Sequence, residues 1–404
     1  MLHILLLSAG KVFKNAFGGE DLFTRNLGRW LASNQHEATL IGIEFAGIRA
    51  RYLSQDTIKN QATSNITKKK SNKKKIGGGY LIYSLRTIIW LFQVVKILSI
   101  NAKHPIDIIH AQDSGYTGLA AIAASKILNV PVIITLHGIR YDQIKSNPYV
   151  NKILKKITLK FEHRLDVFTL TNADIITLVS STMEHYVERV APKSIIETVP
   201  VAINKNNFEF SEAKRQSLRR ELGIGDKSNV FGYVGRLSYE KNLFTLLGSF
   251  ADAANSDSSL KLVLVGEGPL EFELRKKALE LGIEDKVIFC GFRYDIGNIL
   301  CGIDVFVLPS YIEGTSNALL QAMTCGRAII CTDISGNREV VTNDKEALMI
   351  NPDDRNGFTK AILLLSSDDK LRSRLGHNAR ISAAQYQEDL IFPKFVRYYH
   401  DLCE

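Results

Sequence analysis

The stretch that decides the fold is residues 304–326, DVFVLPSYIEGTSNALLQAMTCG. An apolar run ends at Pro309, and a helical pattern follows from Ala318 to Met323, with small polar residues before it. This order predicts a buried strand, a loop and a helix whose free N–H groups attract an anion. Glu313 lies in the loop and Gln321 on the helix, so both can reach one ligand. A carboxylate beside phosphate-binding amides contributes little to the stability of the fold, whereas it can bind the hydroxyl groups of a sugar.

Similar strand-like runs alternate with helix-length amphipathic segments along the chain. Apolar strands separated by helices indicate parallel sheets, and two successive series predict two doubly wound, Rossmann-like α/β domains. The first series comprises His3–Ser8, Ala38–Phe45, Ile106–Ala111, Val132–His137, Asp174–Val179 and Ile195–Pro200. The second comprises Val230–Gly235, Lys261–Gly266, Lys286–Cys290, Asp304–Pro309, Ala328–Thr332 and Ala347–Asn351.

These series predict domains over residues 1–203 and 204–380, followed by a C-terminal helix within residues 381–404 that packs back on the first domain. Pro393 should mark a break or a start of that helix. The polar, lysine-rich segment from Ala50 to Gly79 is expected to be irregular.

The net charge of +9 is unevenly distributed. Residues 1–203 hold 26 basic and 14 acidic residues, net +12, whereas the remainder holds 25 and 28, net −3. Six of the positive charges form one run between Lys68 and Lys75. Such an excess indicates an anionic partner, and nucleic acid, phospholipid headgroups and phosphorylated substrates all qualify.

The five cysteines include no CxxC pair, which favours a reduced, cytoplasmic protein without a zinc cluster or disulfides. The apolar start, Met1 to Leu7, lacks the basic residues of a secretory signal and is expected to be a strand. The most apolar longer stretch, Leu81 to Ile100, contains Arg86 and Lys96 and is therefore not expected to span a membrane.

Two further loops are candidates for phosphate binding. Gly18 and Gly19 precede a helical pattern, although a glycine pair is about as typical of a simple tight turn. The segment Gly235–Asn242 contains Arg236 and Lys241, whose side chains could bind a diphosphate. A solvent-exposed loop at the end of a strand explains these two residues equally well. No loop matches the GxGxxG motif of dinucleotide-binding proteins, so the hypothesis of a dinucleotide-dependent oxidoreductase lacks its main sequence evidence.

In their order along the chain, these motifs resemble the retaining glycosyltransferases of family 4. Glu313 to Gln321 resembles the E-x7-E motif of that family, with glutamine in the second position. The other matching motifs are Gly18–Glu20, Thr135–Gly138, Gly235–Arg236 with Glu240–Lys241, Val265–Pro269, Gly291–Phe292 and Gly336 with Glu339. The resemblance implies the GT-B fold, in which two Rossmann-like domains face each other across a cleft and a C-terminal helix returns to the first domain.

The resemblance also implies residue roles. Arg236 and Lys241 bind the donor diphosphate and stabilise the departing nucleotide, Glu313 contacts the donor sugar, and His137 lies near that sugar and the acceptor. The remaining donor-binding candidates are Gly18, Gly19, Gly268, Phe292, Arg293, Gly314, Thr315, Ser316, Asn317, Ala318, Leu319 and Gln321. The acceptor-binding candidates are Asp113, Tyr116, His137 and Arg140, whereas His110 is expected to be structural.

The implied activity is transfer of a sugar from a nucleoside diphosphate sugar to an acceptor hydroxyl, in surface polysaccharide, lipopolysaccharide or glycolipid assembly. Front-face displacement is the implied mechanism, with a covalent intermediate on Glu313 as the alternative. No cofactor or metal is expected, because cationic side chains and helix dipoles offset the charge of the leaving group. A nucleotide-sugar epimerase and a non-catalytic nucleotide-sugar-binding subunit remain open.

Two departures from the family pattern are expected to alter individual contacts and hinge geometry rather than the reaction. Gln321 replaces a glutamate that usually binds the ribose hydroxyls, and an amide still accepts one hydrogen bond and donates others. The linker, usually Gly-Val-Asp, is Ala202-Ile203-Asn204 here.

The expected partners are a nucleotide sugar and a saccharide or lipid-linked saccharide, and nucleic acid is not expected. The Lys68–Lys75 run predicts peripheral contact with an anionic membrane at its cytoplasmic face, and a solvated lysine loop is the alternative. In the helical pattern from Tyr149 to Phe168, the basic face could attract lipid. Its apolar stripe is expected to face the core and comprises Ile153, Leu154, Ile157, Phe161 and Leu165.

Overall fold

The computed structural model describes residues 1–8, 19–44, 47–53, 81–141, 144 and 152–404. Within them the chain forms two compact units, each with its own sheet. The first contains the described residues up to Pro200 together with Ile391–Glu404, and the second contains Val201–Leu390. Gly18 and the Lys68–Lys75 run lie outside the described residues.

The strands of the first unit are β1 His3–Leu7, β2 Glu37–Glu44, β3 Gly47–Leu53, β4 Ile108–Ala111, β5 Val132–Leu136, β6 Ile175–Leu178 and β7 Ile195–Thr198. They form one sheet in the order β3-β2-β1-β4-β5-β6-β7. Every pair is parallel except β2 with β3. Strands β1, β4, β5 and β6 are buried along their whole length, which explains why their sequences are apolar without alternation.

Strand β3 corrects the expectation that the chain is irregular from Ala50 onward. Residues 50–53 pair with residues 38–41 of β2 in an antiparallel ladder. An antiparallel neighbour needs only a tight connection, so β3 joins the sheet without a crossover helix. Strand β3 lies at the edge of the sheet. Its sequence alternates Ile48, Ala50 and Tyr52 with Arg49 and Arg51, which is a strand pattern, but the lysine-rich segment that follows led residues 50–53 to be assigned with it.

The helices of the first unit are α1 Gly19–Ser33, α2 Leu81–Asn101, α3 Tyr116–Leu128, α4 Lys152–Thr171 and α5 Glu184–Val190. Among the helices that the structure describes, none has the length and apolar character that crossing a bilayer requires.

Helix α4 has a polar inner face. Glu162, Leu165, Asp166 and Thr169 are buried, and Asp166 accepts hydrogen bonds of 2.6 Å from Ser114 Oγ and from the Tyr186 hydroxyl. The predicted core-facing stripe is therefore wrong for Ile157 and Phe161, which are 63% and 48% exposed. The reason is that carboxylates with buried partners occupy the inner face, so these apolar residues point outward.

The strands of the second unit are β8 Asn229–Val234, β9 Leu260–Val265, β10 Val287–Gly291, β11 Val305–Leu308, β12 Ala328–Thr332 and β13 Leu348–Ile350. They form a fully parallel sheet in the order β10-β9-β8-β11-β12-β13. The helices are α6 Glu212–Glu221, α7 Leu243–Ala254, α8 Glu271–Glu280, α9 Ile296–Gly302, α10 Asn317–Thr324, α11 Ser335–Arg338, α12 Arg355–Ser367 and α13 Asp369–Ala383. The prediction of two doubly wound sheets is confirmed.

Each sheet reverses its strand order beside its first strand. The chain moves from β1 to β2 on one side and later returns to β4 on the other, and β8, β9 and β11 repeat this pattern. In open α/β sheets, ligands bind beyond the carboxyl ends of the strands at such a reversal. A ligand site is therefore expected in the loops after β1, β4, β8 and β11.

The last helix, α14 Glu388–Cys403, packs on the first unit. The rings of Phe392 and Phe395 each lie 5.7 Å from that of Phe23 on α1. Pro393 lies inside α14 rather than at a break. Pro393 is the sixth residue of α14, so it removes one backbone hydrogen bond of the helix, and the buried Phe392 and Phe395 hold the helix in place.

The return to the first unit begins later than residue 381. Helix α13 extends to Ala383 and belongs to the second unit, in which Ile203 N donates a 2.7 Å hydrogen bond to the Tyr386 carbonyl. This contact also places Ile203 in the second unit, so that the units change at Pro200–Val201.

A buried hydrogen-bonded chain ties α14 to the first sheet. His110 Nδ1 lies 2.7 Å from the Tyr399 hydroxyl, and His110 Nε2 lies 2.6 Å from Thr135 Oγ1, which in turn contacts Thr177 Oγ1 at 2.5 Å. Burial lowers the pKa of His110 to about 3 and keeps the ring neutral. His110 is thus structural, as expected.

We predict that Tyr399→Phe lowers the free energy of unfolding by about 1–3 kcal/mol, because it leaves a buried ring nitrogen without its partner. Thermal and urea unfolding measure this loss. Tyr398→Phe is the matched control, since its hydroxyl makes an exposed 3.2 Å contact with Glu197 and its removal should cost less than about 0.5 kcal/mol. Equal effects of the two variants would contradict the role of the buried chain.

Candidate functional site

The loops after β8 and β11 adjoin each other at the strand-order reversal of the second sheet. Tyr311 N donates a 2.9 Å hydrogen bond to the Glu240 carbonyl, which joins the two loops. Lys241 Nζ lies 2.7 Å from Glu313 Oε1, and Ser310 Oγ donates to the same oxygen at 2.6 Å. The described residues provide no hydrogen bond to Glu313 Oε2. One carboxylate oxygen is therefore held by the protein while the other is available to a ligand.

Arg236, in the same loop as Lys241, presents an exposed cation. Its guanidinium forms no ion pair with any residue in the described part of the chain, whereas its carbonyl accepts a 2.9 Å hydrogen bond from the Tyr233 hydroxyl. Burial, with contributions from Glu313 and Glu240, raises the pKa of Tyr233 well above its usual value. The neutral phenol thus fixes the backbone of Arg236 and leaves its side chain for an anion.

The glycine loop after β9 packs backbone against backbone on the loop after β8. Gly266 has φ of +131°, and a Cβ there would lie 1.9 Å from the Gly235 carbonyl oxygen. A Cβ at Gly268 would lie 2.1 Å from the Leu237 carbonyl oxygen, and the Leu237 N–H donates to the Glu267 carbonyl at 3.1 Å. Glycine is required here for close approach, and its effect is to hold the segment that carries Arg236 and Lys241.

Helix α10 begins directly after the Glu313 loop, and its N-terminus is only partly capped. Ser316 Oγ accepts from Leu319 N at 3.4 Å. The N–H groups of Asn317 and Ala318 have no partner among the described residues, which leaves them for an anion, as at other helix N-termini. Gln321 lies one turn further along, with its side chain largely buried.

The segment after β12 supports the Glu313 loop from behind. A Cβ at Gly336 would lie 2.2 Å from the Glu313 carbonyl oxygen and 2.7 Å from that of Gly314. Thr332 Oγ1 donates to the Ser310 carbonyl at 2.6 Å. The backbone that carries Glu313, Gly314 and Thr315 is therefore set by its contact with Gly336.

Arg293, a predicted donor-binding residue, is already neutralised by carboxylates. Its guanidinium bonds Asp295 through Nε and Nη2, at 2.8 and 2.7 Å, and pairs with Glu221. These hydrogen bonds raise the pKa of Arg293 further above its usual value. Its charge is not free for phosphate, so Arg293 orders the loop in which the Phe292 ring packs edge to face on Tyr294 at 4.7 Å.

In the first unit, His137 follows β5 and lies beside the carboxyl end of β4. Its Nε2 is 2.9 Å from Gln112 Oε1, and its ring packs on Phe23 at 5.1 Å. Burial lowers the pKa of His137 to about 3, so the ring is neutral near pH 7 and suits hydrogen bonding rather than charge stabilisation.

Asp113, next to Gln112, has one satisfied and one unsatisfied oxygen. Gly115 N donates to Oδ1 at 2.6 Å, whereas Oδ2 is buried without a hydrogen-bond partner. Burial raises the pKa of Asp113, and the nearby Arg140 guanidinium partly offsets the rise. Arg140 also lies 3.8 Å from Glu162. Asp113 and Arg140 thus lie close together, and Gln112, the neighbour of Asp113 in sequence, contacts His137.

The other predicted positions are more dispersed. Tyr116 starts α3, and its ring lies 6.2 Å from Phe161 of α4. Gly19 is the first residue of α1. Sequence reasoning missed Ser310, Gln112 and Tyr233. Of these, only Ser310 and Gln112 carried a signal, because each is a polar residue directly after a predicted strand.

No group of three His, Cys, Asp or Glu side chains in the described part of the chain is placed to hold a metal ion.

Two family models match the chain in succession. Residues 17–206 match the model described as Glycosyltransferase Family 4, and residues 214–382 match that of Glycosyl transferases group 1. The matches meet near residue 210, close to the change of units at Pro200–Val201.

Individual proteins agree with these models. A UDP-Gal:alpha-D-GlcNAc-diphosphoundecaprenol alpha-1,3-galactosyltransferase of Escherichia coli is 29% identical over 74% of this chain and 75% of its own length. An N-acetyl-alpha-D-glucosaminyl L-malate synthase of Bacillus anthracis is 25% identical over 76% and 78%, respectively. The crystal structure of Anabaena HepE with UDP-glucose superposes over 100% of both chains with a TM-score of 0.77 at 19% identity, which supports the fold.

We predict that Gly336→Ala destabilises the protein by about 1–3 kcal/mol, because the new methyl group overlaps two carbonyl oxygens of the Glu313 loop. The measurement is the thermal unfolding midpoint. Gly225→Ala is the control, since a Cβ at Gly225 would meet only Ser228 Oγ at 3.7 Å. An unchanged midpoint for Gly336→Ala would show that the loop tolerates displacement.

Proposed function

The chain belongs to the family 4 (group 1) glycosyltransferases, and we propose that it is a retaining, metal-independent member using a nucleoside diphosphate sugar as donor. The observation that carries this proposal is the partly satisfied charge cluster at the strand-order reversal of the second sheet. There Lys241 and Glu313 hold each other at 2.7 Å while Arg236 remains unpaired among the described residues.

The cluster has the chemistry that a sugar diphosphate needs. Lys241 uses one of its three N–H groups on Glu313, which leaves two for phosphate oxygens. Arg236 offers a bidentate fork, and the free N–H groups at the start of α10 offer a helix dipole. We propose that these three bind the diphosphate and stabilise its charge on departure, which makes a metal ion unnecessary.

Glu313 is proposed to bind the donor sugar. Its Oε1 is held by Lys241 and Ser310, so Oε2 can accept a hydrogen bond from a sugar hydroxyl. We propose front-face displacement. The bond between the anomeric carbon and the diphosphate oxygen breaks, that oxygen takes the proton of the acceptor hydroxyl, and the acceptor oxygen bonds to the same face. Attachment of the sugar to Glu313 itself is the alternative mechanism.

The other donor-binding positions keep the roles expected for them. Gly268, Gly314 and Thr315 contribute loop backbone, and Gln321 is proposed to contact the ribose. Phe292 is proposed to line the nucleobase, with Arg293 supporting its loop through Asp295 and Glu221.

The first unit is proposed to bind the acceptor through Asp113, Arg140, Tyr116 and His137. The unsatisfied Asp113 Oδ2 can accept a hydrogen bond from a hydroxyl, and the neutral His137 ring can orient one through its Nδ1. The acceptor itself is proposed to be lipid-linked. The Escherichia coli relative acts on a diphosphoundecaprenol-linked sugar, whereas the Bacillus anthracis relative makes a malate glycoside.

The outer face of α4 supports a lipid-linked acceptor. Ile157 and Phe161 project outward among the lysines at 155, 156 and 160, and Phe161 contacts Tyr116, a proposed acceptor residue. Exposed apolar side chains flanked by cations match the chemistry of an anionic bilayer surface. We propose that this face, in addition to the Lys68–Lys75 run, brings the enzyme to its acceptor at the cytoplasmic face of a membrane.

We predict that Arg236→Ala and Lys241→Ala each lower the rate of sugar transfer or of donor hydrolysis by about 10²–10³, because each removes a cation that stabilises the leaving diphosphate. A thermal-shift panel of nucleoside diphosphates, followed by nucleotide sugars, identifies the donor for this assay. Nuclear magnetic resonance of the product gives the anomeric configuration, and chelator should leave the rate unchanged.

Lys276→Ala is the matched control, since Lys276 is an exposed lysine on α8. It should leave the rate at the wild-type value. Near-normal rates for Arg236→Ala and Lys241→Ala would refute the proposed roles. An inverted product would refute retention, and a glycosyl adduct trapped on Glu313 would replace the front-face mechanism.

We predict that Ile157→Glu with Phe161→Glu weakens sedimentation with phosphatidylglycerol vesicles by about tenfold or more, because charge replaces inserted apolar area. Binding of the wild type should fall with salt and be weak on phosphatidylcholine. Phe272→Glu, on α8 of the second unit, is the control and should bind as the wild type does. Vesicle binding that all variants share would exclude α4 as the contact.

A further inference from the structure

Two buried cysteines of the second unit have no role in the function proposed so far. Cys301 lies on α9, and Cys325 directly follows the last residue of α10. Both side chains are buried, and their sulfur atoms are 3.9 Å apart. The two sulfurs are therefore direct neighbours, because no other group fits between atoms at this distance.

The two sulfurs are placed where a bond between them can form. A disulfide bond is about 2.05 Å long, so the sulfurs of Cys301 and Cys325 need to approach each other by about 2 Å. Rotation of the two side chains moves these terminal atoms by distances of that order. The two residues are 24 positions apart and belong to different helical segments, so the fold brings them together rather than a local motif.

The surroundings of Cys301 stabilise a thiolate. The main factor that lowers the pKa of Cys301 is a hydrogen bond from Cys325, and the N–H group of Ser211, the N-cap residue of α6, adds a second. The cations of Lys214 and Arg327 act in the same direction, whereas burial opposes them. The thiolate is the form of cysteine that attacks oxidants, so Cys301 is the more reactive sulfur of the two.

Arg327 also holds the two cysteine-bearing segments against each other. Its Nε donates a 3.1 Å hydrogen bond to the Cys325 carbonyl, and its Nη1 donates one of 3.1 Å to the carbonyl of Ile303, at the end of α9. The hydrogen bond with Cys301, together with burial, raises the pKa of Cys325. Cys325 is thus kept as a thiol next to the thiolate that its own S–H group stabilises.

The segment in contact with Cys301 is itself exposed to solvent. Cys301 Sγ lies 3.7 Å from the Glu209 carbonyl oxygen, and the side chains of Glu209 and Phe210 are exposed. Segments with exposed side chains open locally more easily than the interior of a sheet. A local opening at residues 209–211 admits an oxidant as small as hydrogen peroxide to the sulfur.

The other three cysteines lack this arrangement. Among the described residues, Cys290, Cys331 and Cys403 have no second sulfur beside them. Burial raises the pKa of each of these thiols. They therefore serve as internal comparisons for the pair.

We propose that Cys301 and Cys325 form a reversible oxidation site whose co-reactant is a hydroperoxide. The Cys301 thiolate attacks one peroxide oxygen, so that an S–O bond forms, the O–O bond breaks and hydroxide leaves. The Cys325 thiol then attacks the Cys301 sulfur. The S–S bond forms, the S–O bond breaks, and the hydroxyl group leaves as water with the Cys325 proton.

The balance of this reaction is a two-electron transfer. The two sulfurs lose two electrons, which the hydroperoxide gains, and a dithiol reverses the reaction by exchange. The disulfide fastens α9 to the end of α10 that lies opposite the Glu313 loop. The inference goes beyond the proposed function and does not depend on it.

Thiol counting on the full chain tests the proposal. The double variant Cys290→Ser with Cys403→Ser retains Cys301, Cys325 and Cys331. Hydrogen peroxide should lower its free thiols, counted after unfolding in denaturant, from three to one, and dithiothreitol should restore all three. Trypsin leaves Cys301 and Cys325 together in the peptide 294–327, whose mass should fall by two hydrogen atoms.

Further substitutions in the same background assign the two sulfurs. Cys325→Ala should stop the reaction at the sulfenic acid of Cys301, which dimedone traps, and Cys301→Ala should leave Cys325 unoxidised. Cys331→Ala is the matched control, since it removes a buried cysteine outside the pair and should leave disulfide formation unchanged. The thermal midpoints of the reduced variants show that each one is folded.

Three results would overturn the inference. These are the retention of all three thiols in peroxide, a loss of thiol from the peptide 328–338 that contains Cys331, and a dimedone adduct on Cys325 in place of Cys301. None of these results depends on sugar transfer, so a failure of the proposed function and a failure of this inference are distinguishable.

Discussion

The parallel pairing of β8 with β11 is the constraint on which the candidate site depends. Because the two strands are neighbours and run in the same direction, their loops leave the sheet at one edge. Lys241 and Glu313, 72 positions apart in sequence, thereby come within 2.7 Å of each other. The glycine contacts at Gly266 and Gly336 then hold the two loops from either side. Without this pairing, the ion pair would not form.

The first unit differs in that it keeps polar groups inside a buried sheet. His110 and His137 lie at the ends of adjacent parallel strands, and burial keeps both neutral near pH 7. One ring is used to bind α14 through Tyr399, whereas the other faces Gln112 beside Asp113. The carboxylates of α4 extend this polar interior, and as a result the apolar side chains of α4 point outward.

Much of the fold was predictable from local pattern, because buried parallel strands are apolar throughout and end in small or polar residues. The exceptions have physical causes. Residues 50–53 of strand β3 were missed because the polar, lysine-rich segment that follows dominated the pattern. Pro393 is held inside α14 by the packing of Phe392 and Phe395 on Phe23. The stripe on α4 was misassigned because helical periodicity identifies a face but does not say whether that face is turned inward.

The sequence by itself determined the two sheets and the chain order of the loops, since these follow from periodicity and motif spacing. Tertiary structure alone decided which charges are free. Arg236 has no partner among the described residues, whereas Arg293, equally cationic in sequence, is neutralised by Glu221 and Asp295. Ion pairing and surface shape depend on distances between residues far apart in the chain, and those distances exist only once the sheet has formed.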